Sequence, residues 1–391
     1  MNELAHKSLL PAGIQDVLPP DAAHEAEVAA RLLGVFASHG YERVKPPLVE
    51  FEEGLLSGTG AALANQTFRL MDPISQRMMA VRSDVTPQVA RIAQGRLSRA
   101  PRPLRLSYAE DILRVRGTEL RAERQFGQVG YELIGAEGAA ADAEVILLAV
   151  EALSALGLGP LSVDLNAPTL VTSLLDALAL DAGTQHRLRE ALDHKDAAEV
   201  ERNAGAAAPV FRALLAATGV AGPALERLAG LKLPGAARRE ADALSAVAGI
   251  LLARGIPGLS LTVDPVEHRG FEYQTGVSFS LFGIEVREEL GRGGRYEING
   301  VAGIIEPATG CTLYMDELIG VLGGAPPVKR LYQPYGTDAE TGRRLRAEGY
   351  VTVAGLAPVG DIVAEARRLG CAFVLKAGKP VAVTRGDGSD G

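Results

Sequence analysis

The sequence predicts an α+β fold: a mainly antiparallel sheet flanked by helices, with a helical insertion and a small α/β C-terminal tail. Three observations predict it. Strand-like runs at 66–71, 77–82, 104–112 and 123–134 follow one another with few helices between them, as hairpin-connected strands do. From Ala167 to Arg254 the texture changes to Leu, Ala and charge broken at Gly183, Gly219, Gly222-Pro223 and Pro234-Gly235, as in short antiparallel helices. Gly323-Gly324-Ala325-Pro326-Pro327 reads as a linker, and alternating strand and helix patterns follow it. The expected domains are 1–325, with the helical insertion at 167–256, and 326–391.

Taken in order, the first element is a helix over 21–38, with Asp21 as N-cap after Pro19-Pro20 and apolar residues at Val28, Leu32, Val35 and Phe36. Gly40 ends it. Residues 41–50 read as extended, and Pro46-Pro47 confine them to an edge or an interface because proline cannot donate to a ladder. A helix is expected over 142–156, and strands return at 259–264 and through 279–282. Residues 386–391 are expected to be disordered.

The 391 residues carry a net charge of −8 and are 47% hydrophobic. With a pI near 5.5 and a mean hydropathy of +0.10 the chain reads as globular, and nucleic acid is disfavoured as its main partner, since phosphate binding needs a concentrated basic face. Cys311 and Cys371 are too few for a disulfide framework or a zinc site, and the scattered histidines have no ligand spacing, so neither metal nor cofactor is expected. The N-terminus lacks a signal-peptide core, and the greasiest run, 145–156, is interrupted by Glu151 and too short for a bilayer. A cytoplasmic protein without a membrane partner is the expectation.

Several runs bring together groups that suit an amino acid. In Arg82-Ser83-Asp84-Val85-Thr86-Pro87 a carboxylate and a hydroxyl make an acceptor cluster of the kind a buried ammonium needs; the same residues also read as a helix cap. In the run from Arg124 to Gly135, Gln128, Gly130 and Glu132 repeat every second residue and so share one strand face. Arg269 and Tyr273 stand in His268-Arg269-Gly270-Phe271-Glu272-Tyr273-Gln274-Thr275-Gly276, Arg114 in Ile112-Leu113-Arg114-Val115-Arg116-Gly117, and Tyr296 in Gly293-Gly294-Arg295-Tyr296. Gly291-Arg292-Gly293-Gly294 makes only a weak phosphate loop, since it lacks the Lys-Ser/Thr of a P-loop. His24, His39, His186 and His194 have no triad partners, and no catalytic residue is assigned.

In this order the runs resemble histidyl-tRNA synthetases of the class II fold over about the first 325 residues. Gly40 to Glu50 is similar to the first class II motif, whose element builds a dimer interface. His268 to Gly276 is similar to the histidine-specific signature, and Gly310-Cys311-Thr312-Leu313-Tyr314-Met315-Asp316-Glu317-Leu318 aligns with the third motif, Gly-Phe-Gly-Met-Gly-Leu-Glu-Arg-Leu. The resemblance implies a histidine pocket of Asp84, Thr86, Arg114, Gln128, Glu132, Arg269, Tyr273 and Tyr296. It also shows losses. Glu317 stands where the motif has its ATP-binding arginine, Arg116 replaces the glutamate that contacts adenine, and the loop from Thr118 to Arg121 lacks the usual run. An arginine cannot accept a hydrogen bond, and Glu317 would repel a triphosphate.

Kept amino-acid groups beside lost ATP groups make the sequence similar to the regulatory subunits of ATP phosphoribosyltransferase, a synthetase-like branch. That resemblance implies a chain that performs no transfer itself. It would assemble with the short-form catalytic subunit, commonly as a hetero-octamer, self-associate as a class II-type dimer, and transmit histidine feedback to the first step of histidine synthesis. The alternatives are an active histidyl-tRNA synthetase and a free-standing amino-acid sensor.

Overall fold

The computed structural model describes residues 9–117, 122–267, 273–284, 288–299 and 305–383. The segments outside these ranges include the expected disordered end, 386–391, and the loop from Thr118 to Arg121. The chain divides into two units, Met1–Gly324 and Ala325–Gly391.

A nine-stranded sheet organises the first unit. Its strands are β1 (Glu42–Arg43), β5 (Leu104–Leu113), β6 (Gln125–Ile134), β12 (Ile305–Tyr314), β11 (Glu289–Asn299), β10 (Gln274–Gly283), β7 (Leu161–Asn166), β9 (Leu259–Asp264) and β8 (Gly219–Val220), in that spatial order. Its neighbours pair antiparallel except β1 with β5 and β7 with β9. A separate three-stranded sheet holds β2 (Val49–Phe51), β4 (Met78–Val81) and β3 (Arg69–Met71) in that order.

Strand alternation divides the large sheet into two chemically different faces. On β6, Val129, Tyr131 and Leu133 point into the larger core, beneath the helices Asp21–Ser38 and Ala139–Ala155. There the rings of Phe36 and Tyr131 stand 4.5 Å apart, and Tyr131 donates to the Val145 carbonyl at 2.6 Å. Gln128, Gly130 and Glu132 lie on the opposite face. That face is covered in part by the helix Thr86–Gln94, whose Val89 and Ala93 join Leu106, Tyr108, Tyr296 and Tyr314 in a second cluster.

Two expectations need correction, and the weak phosphate-loop reading falls away. The first helix spans Asp21–Ser38, but its N-cap is Pro20, whose backbone (φ −88°, ψ −7°) is already close to helical; Asp21 sits in the first turn, where an acid suits the helix dipole. The insertion is not wholly helical, because Gly219 and Val220 pair with Val263 and Thr262 of β9. The glycine run 291–294 is no loop: it lies within β11 and pairs on both sides. Glycine is needed there because a Cβ on Gly293 would stand 2.1 Å from the Gly310 carbonyl oxygen and 2.5 Å from the Phe279 ring.

The insertion's helices bury Leu188, Val200, Phe211, Leu228 and Leu244 in the larger core. Asp181 and Asp196 cap two of them with their side chains. The second unit is a four-stranded sheet in the order β14 (Val351–Ala354), β13 (Arg330–Gln333), β15 (Phe373–Lys376), β16 (Lys379–Ala382). Its first two pairings are parallel and its last is an antiparallel hairpin. The helices Ala339–Ala347 and Ile362–Arg368 connect these strands and are capped by Asp338 and Asp361. Among the described residues, no helix is long and apolar enough to cross a membrane.

The close approach at Gly293 predicts that Gly293→Ala lowers stability by about 1–3 kcal/mol, as overpacking does. Gly249→Ala, in the helix Gly235–Arg254 with nothing within 4 Å, should raise it by about 0.5–1 kcal/mol. Chemical denaturation of the two variants against the parent chain checks the opposite signs.

Candidate amino-acid pocket

The pocket is built on the polar face of β6, β12 and β11. Glu132 is its centre and is 1% exposed. The carboxylate fits there because its neighbour on β12 is Gly310, where a Cβ would lie 1.8 Å from Glu132 Oε2. The Thr86 hydroxyl donates to Oε1 at 3.0 Å and the Tyr296 hydroxyl donates to Oε2 at 2.9 Å. Tyr273 packs edge-on against Tyr296, with ring centroids 5.8 Å apart. Four of the eight predicted residues therefore meet around one carboxylate.

Three more meet at the turn before the helix Thr86–Gln94: Asp84 lies in it, and Gln128 and Arg114 bond to it. Gln128 is fully buried; its Oε1 accepts from the Val85 N–H at 3.1 Å and its Nε2 donates to Asp84 Oδ2 at 3.3 Å. Asp84 Oδ1 accepts from the Thr86 N–H at 2.9 Å, which closes the turn ahead of a helix whose N-cap is Val85 and not Ser83 or Asp84. Arg114 Nε donates to the Ser83 carbonyl at 3.3 Å and its guanidinium lies 5.2 Å from the Phe126 ring centre. Arg269, which the sequence places in the same pocket, lies outside the described residues.

Sequence reading missed the supports of this arrangement. Arg82 is 3% exposed and donates to Pro46 O at 3.1 Å, Asp111 O at 2.6 Å and Glu110 Oε2 at 2.9 Å, which fixes the turn carrying Ser83 and Asp84. Arg295 points the opposite way from Tyr296, as alternation requires, and pairs with Asp142 at 2.8 Å. Tyr108 and Thr312 join hydroxyls at 2.7 Å beside Gly130. None of these pairs has a sequence signal, because each joins residues brought together by strand order. The polar row continues through Ser278 of β10 and Asn166 of β7, opposite each other in register. Both are buried, and Ser278 Oγ and Asn166 Oδ1 have no hydrogen-bond partner among the described residues.

Chemically the pocket presents acceptors. Burial pushes the Glu132 carboxyl up to about 8; the hydrogen bonds from Tyr296 and Thr86 oppose this and the nearby Asp84 adds to it. A cationic ligand group placed here would relieve that cost by favouring the ionised form. The residues aligned with the ATP motifs offer nothing comparable. Arg116 is exposed, and Glu317 lies in the first turn of the helix Met315–Leu322 together with Asp316, where acids suit the helix N-terminus.

An ordinary glutamate titrates near 4.5, so between that pH and about 8 the folded chain holds a proton that the unfolded chain has lost. Stability should therefore fall as pH rises through this window and level off above it. Glu132→Gln cannot ionise and should lack this component, a difference of up to roughly 5 kcal/mol. Denaturation midpoints of both proteins, followed across the window, check it.

The geometry now has relatives. The sequence matches the histidyl-tRNA synthetase family over residues 13–318. It is 55% identical over 371 residues to the ATP phosphoribosyltransferase regulatory subunit of Paramagnetospirillum magneticum, covering 95% of this chain and 97% of that one. It is 54% identical to the protein of the same name from Rhodospirillum centenum, covering 95% of each. Among solved structures, an ATP phosphoribosyltransferase regulatory subunit/histidyl-tRNA synthetase from Bacillus halodurans superposes with a TM-score of 0.79 at 25% identity, over 92% of this chain and 96% of that one. A histidyl-tRNA synthetase from Nostoc superposes with a TM-score of 0.77 at 19% identity, over 94% and 90%, and shares the fold. The structure is thus of the class II synthetase type, and the chain belongs to the family of ATP phosphoribosyltransferase regulatory subunits, which are regulatory rather than catalytic proteins.

Proposed function

We propose that this chain binds free histidine in the pocket around Glu132 and passes that binding on to the catalytic subunit of ATP phosphoribosyltransferase. The observation that carries the reading is the buried Glu132 carboxyl group, held by Thr86 and Tyr296 with no cation on it among the described residues. In this reading Glu132 and Asp84 face the cationic groups of histidine, Gln128 orients Asp84, and Tyr273 and Tyr296 line the ring. Arg114 and Arg269 take the carboxylate, on the strength of the resemblance.

The partner is the short-form catalytic subunit, in a cytoplasmic hetero-octamer that joins ATP to phosphoribosyl pyrophosphate. The chain supplies that subunit with activity and with histidine feedback. Coupling of this kind is reciprocal: histidine must favour the less active assembly by as much as that assembly favours histidine. Self-association as a class II-type dimer belongs to the same reading. It is supported by the apolar side chains of Leu48, Phe51, Leu70, Met71 and Met78, exposed on or beside the three-stranded sheet.

Three outcomes test the proposal. The short catalytic subunit should form phosphoribosyl-ATP only when this chain is added, and histidine should inhibit the mixture; equal turnover without the chain contradicts the reading. In calorimetry, Glu132→Gln should weaken histidine binding about tenfold or more, the range for losing a hydrogen bond to a charged group. The pure chain should support no histidine-dependent pyrophosphate exchange, and robust exchange would instead identify a synthetase.

A further inference from the structure

The part of the site that the resemblance assigns to ATP is occupied by the chain's own side chains. In the aligned motif, glycines stand at the positions of Thr312 and Tyr314. Both residues lie on the polar face of β12, in register with Gly130 and Gln128 of β6. Two glycines here, beside Gly130, would leave the sheet bare next to the amino-acid pocket. Instead the Thr312 hydroxyl meets the Tyr108 hydroxyl at 2.7 Å. The Tyr314 ring, 7% exposed, stands edge-on to Phe126 with centroids 6.2 Å apart and planes at 82°.

The groups that would suit an aromatic phosphate ester are engaged in the same way. The Phe126 ring already meets the Tyr314 ring and is approached by the Arg114 guanidinium. Arg292, opposite Thr312 on β11, donates to both carboxylate oxygens of Glu289, at 2.9 and 2.7 Å. Glu289 also accepts from the Ser280 hydroxyl at 3.0 Å. A nucleotide entering here would have to displace a packed aromatic ring and separate an ion pair. An edge-to-face aromatic pair adds about 0.5–1.5 kcal/mol beyond its area burial, so the ring is not a loose obstacle.

We propose that Thr312 and Tyr314 close the nucleotide half of the site from within: their side chains fill the space that glycines at these positions would leave open, and the Tyr314 ring packs on Phe126. The site then admits an amino acid and excludes an adenine nucleotide by shape as well as by charge. Tyr314 is a specificity-determining residue, and the exclusion does not depend on Arg116 or Glu317. This inference extends the reading of the neighbouring pocket as an amino-acid site, and its test stands apart from that reading.

Adenosine separates shape from charge, because it carries the ring without phosphates. It is titrated, by ligand-observed NMR and calorimetry, into the whole chain, Tyr314→Phe, Tyr314→Ala and the double variant Thr312→Gly/Tyr314→Gly. The parent and Tyr314→Phe should show no saturable binding up to ~5 mM, and the two opened variants should bind at least tenfold more tightly. Histidine titrated into the same samples keeps the two ideas apart: failure of the parent to bind histidine sinks the amino-acid reading and leaves the adenosine comparison standing. The proposal is overturned if the parent binds adenosine as tightly as the opened variants. It is equally overturned if an opened variant with parental circular dichroism gains nothing. Should the double variant not fold, Tyr314→Ala decides alone, and saturable adenosine binding by Tyr314→Phe counts against the proposal in any case.

Discussion

The site depends on one buried carboxylate. Glu132 sits on β6, an interior strand of the large sheet, 1% exposed, with a hydroxyl donor on each oxygen and no cation on it among the described residues. Burying a carboxylate costs free energy unless hydrogen bonds or an opposite charge compensate it, and two neutral donors compensate only in part. The elements around it are arranged to keep it in place. Gly310 leaves room beside it, the helix Thr86–Gln94 delivers Thr86, and the alternation of β11 turns Tyr296 inward and Arg295 outward. A fold selected for stability alone would be better served by an apolar residue at this position.

The same sheet carries a second region, a few residues along the same strands, that has changed character. Two and four residues along β12 from Gly310 stand Thr312 and Tyr314, and both pack on the chain's own aromatic groups. Further on, Glu317 begins a helix where an acid is locally comfortable. The local physics of this region is therefore well satisfied, whereas the pocket holds a buried acid, and Ser278 Oγ and Asn166 Oδ1 lack partners among the described residues. Functional sites are where local consistency is given up, and here only one half of the inherited site still gives it up. That asymmetry is what a regulatory subunit that senses an amino acid without activating it would need.

Much of this was legible in the sequence, for identifiable reasons. Period-two alternation put Gln128 and Glu132 on one face, and the helical period placed Val28, Leu32 and Phe36 in the core of the first helix. Ordered motifs placed Tyr273, Tyr296, Thr86 and Asp84 near one another without any knowledge of strand order. What the sequence could not supply was adjacency between distant strands. The pairing of β12 with both β6 and β11 decides that Gly310 opens space for Glu132 and that Thr312 meets Tyr108, and no local pattern encodes it. Helix starts were misjudged for a smaller reason: Pro20 already has near-helical backbone angles, so the cap moved one residue upstream of the acid that looked like it.

The central claim is that this site has kept its amino acid and lost its nucleotide. A crystal structure of the chain grown with both histidine and ATP present tests it most directly. The account predicts histidine beside Glu132, with its cationic groups toward Glu132 and Asp84 and its ring near Tyr296, and Tyr314 still packed on Phe126 with no nucleotide next to it. A nucleotide bound against Phe126 with Tyr314 displaced, or histidine lodged elsewhere with Glu132 unvisited, would contradict it.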